Sequence, residues 1–128
     1  MKKTTYKEKE VVLNRNGNNA DIIVTLLPDE KMREAGFTDF AEDRWYYSRY
    51  VNGRKDITFN ITIPKKDPKD WRIDVLDEDF CQPFDYQYMI EKGHKSPVLK
   101  EVFENVEDQM KYLADAGIIS GHRYGEYI

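Results

Sequence analysis

Residues 43–64 decide the fold: Asp43-Arg44-Trp45-Tyr46-Tyr47-Ser48-Arg49-Tyr50-Val51, then Asn52-Gly53, then Arg54-Lys55-Asp56-Ile57-Thr58-Phe59-Asn60-Ile61-Thr62-Ile63-Pro64. Ile57, Phe59, Ile61 and Ile63 alternate with Thr58, Asn60 and Thr62 without a miss. Period two in β-branched and aromatic residues is the pattern of a strand with one face buried. Asn52-Gly53 is the dipeptide favoured in a two-residue type I′ turn, where both residues need positive φ. Such a turn places Arg49 opposite Asp56, Ser48 opposite Ile57 and Tyr46 opposite Phe59. Tyr46, Ser48 and Tyr50 then share the core side with Ile57, Phe59 and Ile61, because opposed residues share a face. Trp45, Tyr47 and Arg49 are expected on the other face, beside Thr58 and Asn60. A bulge or a three-residue loop inverts the strand and buries Trp45 and Tyr47 instead.

Trp71-Arg72-Ile73-Asp74-Val75-Leu76-Asp77 supplies a third strand. It follows a loop whose Asp67-Pro68-Lys69-Asp70 suits a type I turn. The three strands form a meander. Upstream, residues 1–5 are expected to fray. Val11-Val12-Leu13 and the apolar run Ile22-Ile23-Val24-Thr25-Leu26-Leu27 read as a first hairpin about the turn at residues 15–19. The second strand of that hairpin is apolar enough to be covered on both faces. Residues 28–36 read as a short helix stopped by Gly36. Residues 80–93 suit either a short helix with Pro83 in its first turn or an irregular covering loop. Ser96-Pro97 starts a long helix, an N-cap oxygen followed by proline. Leu99, Val102, Phe103, Val106, Met110 and Leu113 line one side of it, so it is expected to pack on a sheet. The order of elements predicts a single α+β domain over residues 1–128. Its antiparallel sheet has about five strands, a hairpin plus the meander, packed by the C-terminal helix.

Composition narrows the function classes. The chain has 128 residues and 40% of them are hydrophobic, enough for a core. Its net charge is −4 with both signs mixed, which disfavours general attraction to nucleic acid and to anionic membrane. Cys81 is the only cysteine, which excludes an internal disulfide. No stretch approaches the ~20 apolar residues of a membrane span, so a cytoplasmic protein is expected. The texture, rich in Tyr, Asn and Lys without a catalytic motif, suits a bacterial or phage accessory protein.

Few residues point to chemistry. Asp74, Asp77, Glu78, Asp79 and Asp85 are clustered carboxylates of the kind hard cations prefer, but they lack EF-hand spacing, and acids after a strand usually form a solvated loop. A metal-dependent hydrolase at Asp74, Asp77 and Asp79 is the weakest reading. His94 and His122 have no second histidine at ligand spacing. Cys81 lies in no nucleophile motif and reads as structural. No cofactor is expected. What remains is a binding face of Trp45, Tyr47, Arg49, Thr58 and Asn60 with Lys65, Lys66 and Arg72 near the strand ends. Trp, Tyr and Arg dominate protein interfaces, so the expected function is a non-catalytic protein-binding or inhibitor module that engages an unidentified partner or a second copy. Single-stranded nucleic acid stacking on the same aromatics is the alternative. Against both stands the possibility that the C-terminal helix simply covers this face.

Overall fold

The computed structural model describes residues 2–3 and 22–122. Its main layer is a four-stranded antiparallel sheet in the order β3 (Arg44–Tyr50), β4 (Ile57–Pro64), β5 (Arg72–Asp77), β6 (Gln82–Pro83). A small second sheet holds β1 (Lys2–Lys3), β2 (Ile23–Val24) and β7 (Ile119–Ser120), with β2 in the middle. Helices α1 (Asp29–Glu34), α2 (Tyr86–Glu91) and α3 (Pro97–Asp115) complete the α+β fold. The expected strand at residues 11–13, the turn at 15–19 and the tail beyond His122 lie outside the described residues. Lys2 and Lys3 pair with Val24 and Ile23 where fraying was expected.

The meander forms as the alternation predicts, but its register is different. Tyr46 lies opposite Thr62, three positions beyond the expected Phe59, and Tyr47 lies opposite Ile61. An odd shift moves every β3 side chain to the other face. The cause is local. The loop spans five residues, 52–56, instead of two. The Asn52 side chain closes it, accepting the backbone N–H groups of Asp56 (3.2 Å) and Ile57 (3.0 Å) and donating to the Asp56 carboxylate. The backbone turn runs from Lys55 N–H to Asn52 C=O at 3.1 Å, and positive φ falls on Lys55 at 59°, not on Gly53. Helix α3 then holds the loop: Glu101 accepts the Gly53 N–H at 3.1 Å and Asn105 donates to the Val51 carbonyl at 2.9 Å.

The sequence start and face of α3 match expectation. Ser96 Oγ accepts the Leu99 N–H at 3.1 Å, a cap worth about 1 kcal/mol. Leu99, Val102, Phe103, Val106, Met110 and Leu113 are buried on the sheet together with Trp45, Tyr47, Phe59, Ile61, Ile63, Ile73 and Val75. Helix α2 begins later than Pro83, at the Asp85 cap, because Pro83 pairs with Leu76 in β6. The apolar run at residues 22–27 is not fully covered on both faces: Ile22 and Val24 are buried, whereas Ile23 and Thr25 on the alternate face are only half-buried. Its ladder is two residues long.

Candidate functional site

The face of the meander turned away from α3 carries Tyr46, Ser48 and Tyr50 from β3, Thr58, Asn60 and Thr62 from β4, and Arg72, Asp74 and Leu76 from β5, as strand alternation requires. A directional chain of hydrogen bonds crosses it. Tyr46 Oη donates to Asn60 Oδ1 at 2.9 Å, Asn60 Nδ2 donates to Thr58 Oγ1 at 2.9 Å, and Thr58 Oγ1 donates to Glu78 Oε2 at 2.9 Å. Thr58 and Asn60 are buried within this chain, so the centre of the face is fixed. The tyrosine rings at its edge stay open: Tyr46 is 42% and Tyr50 56% exposed. Beside Asn60 on the neighbouring strand, Asp74 Oδ1 is sealed from solvent without a hydrogen-bond partner. Burial pushes the Asp74 carboxyl above its ordinary value of 3.8; the Asn60 amide and Arg72 oppose this and Glu78 adds to it.

Both edges of the sheet are partly covered. On β3 the backbone of Tyr46 pairs in both directions with Thr38, at 2.8 and 2.9 Å, and the Arg49 guanidinium caps the Ser48 carbonyl at 2.8 Å. On the far side β6 has two residues, one of them proline, which has no N–H to offer. A bridge and a carbonyl cap on β3 and a two-residue β6 are features that discourage an added strand.

The expected binding face does not hold together as one surface. Trp45 is 1% exposed and Tyr47 is buried, both under the helical layer. Tyr47 donates to Gln109 on α3, packs its ring 5.0 Å from Phe37 and lies edge-on to Phe59 at 6.3 Å. Burial raises its phenol above the usual value, with Arg49 opposing. Arg49 follows them to the core side, where its guanidinium covers the Tyr47 ring at 4.3 Å while remaining solvent-exposed. Thr58, Asn60 and Arg72 stay on the outer face. Lys65 and Lys66 lie just past β4; Lys65 caps the Trp45 ring at 4.5 Å. The five-residue loop is the reason for the separation. Tyr46 and Tyr50, assigned to the core by the two-residue turn, are the aromatics that the outer face presents.

The remaining candidates are dispersed. Among the described residues no three His, Cys, Asp or Glu side chains converge as metal ligands. Asp77 caps the β5–β6 turn by accepting the N–H groups of Asp79 (3.1 Å) and Phe80 (3.3 Å). Cys81 is free and exposed in that turn, at φ 52°, so it is not the buried structural cysteine expected. His94 is exposed, whereas His122 is half-buried with its side chain turned inward, its Nε2 2.9 Å from Glu107 Oε2. Near this pair the wholly buried Tyr86 phenol is pushed well above its ordinary value by burial, with Glu107 and Asp85 adding to it.

A second feature, which sequence reasoning missed, lies at the other end of β3. Arg33, Phe37, Thr38, Asp39, Phe40 and Glu42 line a groove of about 470 Å³. Asp39 binds two cations there, Arg33 at 3.1 Å and Lys65 at 3.0 Å, and they hold its carboxyl below the usual range. The Arg33 guanidinium also lies 5.4 Å from the Trp45 ring centre. The only sequence signal for this groove was the pair Phe37 and Phe40, three apart in a non-helical segment.

The backbone architecture has a counterpart among solved structures. It matches a DUF1831 family protein from Lactobacillus plantarum with a TM-score of 0.60, over 77% of this chain and 84% of that one. The two share a fold. Sequence identity is 8%, so the likeness extends to architecture alone. No family model and no curated protein matches the chain. Among the described residues no helix is long and apolar enough to cross a membrane.

Proposed function

We propose that the chain is a non-catalytic protein-binding module whose contact surface is the outer face of the meander, centred on Tyr46, Tyr50 and Arg72. The observation that carries this reading is Tyr46: its hydroxyl is held by Asn60 at 2.9 Å while its ring stays open to solvent. A pre-ordered aromatic loses little conformational entropy on binding, and Tyr with Arg is the pairing enriched at interface hot spots. The partly covered sheet edges favour a partner that docks face-on. The test compares the parent with Tyr46→Ala, Tyr50→Ala in affinity capture from host extract. Loss of a specifically captured protein, with an unchanged circular dichroism spectrum, supports the reading. Equal capture by both forms refutes it.

A second reading has its own observation. Two open tyrosines on a sheet face, flanked by the exposed Arg44 and Arg72, form a stacking platform for single-stranded nucleic acid. Asp74 and Glu78 on the same face oppose it. Binding of an oligothymidylate that weakens steeply with salt is the expected signature. No binding at low ionic strength ends this reading.

A further inference from the structure

The groove beside α1 has a property that the sheet face lacks, because it carries both a knob and a hole. Phe40 is 99% exposed and contributes nothing to the core, yet it stands on the rim of the groove that Phe37, Thr38 and Asp39 help to line. The charges on the rim are complementary in the same sense. Arg33 and Lys65 share one carboxylate, Asp39, which leaves one positive charge over between them. Glu42, exposed on the same groove, has no ion pair among the described residues. A patch holding knob, hole, surplus cation and unpaired anion is complementary to itself. Self-complementarity is the requirement for a twofold interface, in which residue i meets j and j meets i.

We propose that this patch joins two copies of the chain about a twofold axis, with Phe40 of each copy seated in the groove of the other and Arg33 of each facing Glu42 of the other. The contact is independent of the partner surface around Tyr46 and Tyr50. A buried aromatic side chain contributes roughly 150–250 Å². Two of them with a charged rim fall at the small end of specific interfaces, below about 1,200 Å² in total. The dimer is therefore weak and concentration-dependent.

Sedimentation equilibrium of the full chain, from about 10 µM to about 1 mM, brackets an interface of that strength. The expected result is a weight-average mass rising from 15.2 kDa toward twice that value. Phe40→Glu is expected to remain at 15.2 kDa throughout with an unchanged melting temperature, because Phe40 makes no core contact. Glu42→Lys is expected to raise the midpoint concentration several-fold at low salt, since it sets like charges facing Arg33. A parent chain that stays monomeric to the top of the range overturns the proposal. So does a dimer that survives Phe40→Glu, or one abolished by Tyr46→Ala, Tyr50→Ala alone, which belongs to the sheet face.

Discussion

Trp45 and Tyr46 are neighbours on one strand with opposite environments, and replacing each by alanine tests the register of the whole meander. Trp45 is fully enclosed, its ring capped by Lys65 at 4.5 Å and Arg33 at 5.4 Å. Burying such a ring removes roughly 150–250 Å² from water, and at about 25 cal/mol per Å² this corresponds to about 4–6 kcal/mol. Trp→Ala substitutions in protein cores cost about 3–5 kcal/mol, in agreement. The total stability of a domain is about 5–15 kcal/mol, so Trp45→Ala is expected to remove a large share and lower the melting temperature by on the order of 10–20 °C. Tyr46→Ala loses one hydrogen bond, to Asn60, and a half-open ring. Its cost is about 1 kcal/mol. Urea denaturation of the two variants, followed by far-ultraviolet circular dichroism, compares the midpoints. If Tyr46→Ala is the more damaging, the two-residue turn is the true one and the faces assigned here are reversed.

Two further perturbations probe the loop and the outer face. Asn52→Ala removes three side-chain hydrogen bonds from the β3–β4 loop and is expected to cost about 2–3 kcal/mol at about 1 kcal/mol each, read from the same denaturation midpoints. Asp74→Asn is expected to stabilise the fold at neutral pH. A carboxyl whose folded pKa is raised binds more protons folded than unfolded, so its penalty is absent below the ordinary value of 3.8, grows as pH rises from there through the raised value, and is complete above it. The stability gap between variant and parent must therefore widen from pH 4 to pH 7. A gap that is constant or narrows refutes the assignment of Asp74 as a half-buried carboxylate whose desolvation outweighs the help of Asn60 and Arg72.

The parts of the fold legible in the sequence are those specified by periodicity and short-range caps. The unbroken alternation from Ile57 to Ile63 and the six-residue stripe on α3 each have one solution, and Ser96-Pro97 marks its helix start without tertiary help. The register of β3 is different in kind. Asn52-Gly53 is compatible with a two-residue turn, and the alternative depends on Asn52 bonding to Asp56 and Ile57 and on Glu101 and Asn105 arriving from α3. Contacts about fifty residues away leave no local trace. The aromatics chosen for the binding face were misplaced for this one reason, while Thr58, Asn60 and Arg72, whose faces follow from β4 and β5 alone, keep the expected face, with Thr58 and Asn60 buried on it. The groove at Phe40 depends on how α1 meets the start of β3, which no periodic pattern encodes.

The ties between α3 and the β3–β4 loop also have a kinetic consequence. Glu101 and Asn105 reach Gly53 and Val51 across 48 and 54 residues of chain. The hairpin therefore reaches its final pairing with help from a helix synthesised well after it. A ribosome-bound chain ending before residue 101 lacks both ties, leaving the two-residue and five-residue pairings to compete on local energies alone. Closing contacts over such separations costs more loop entropy than closing the hairpin itself, which slows the step that needs both ties.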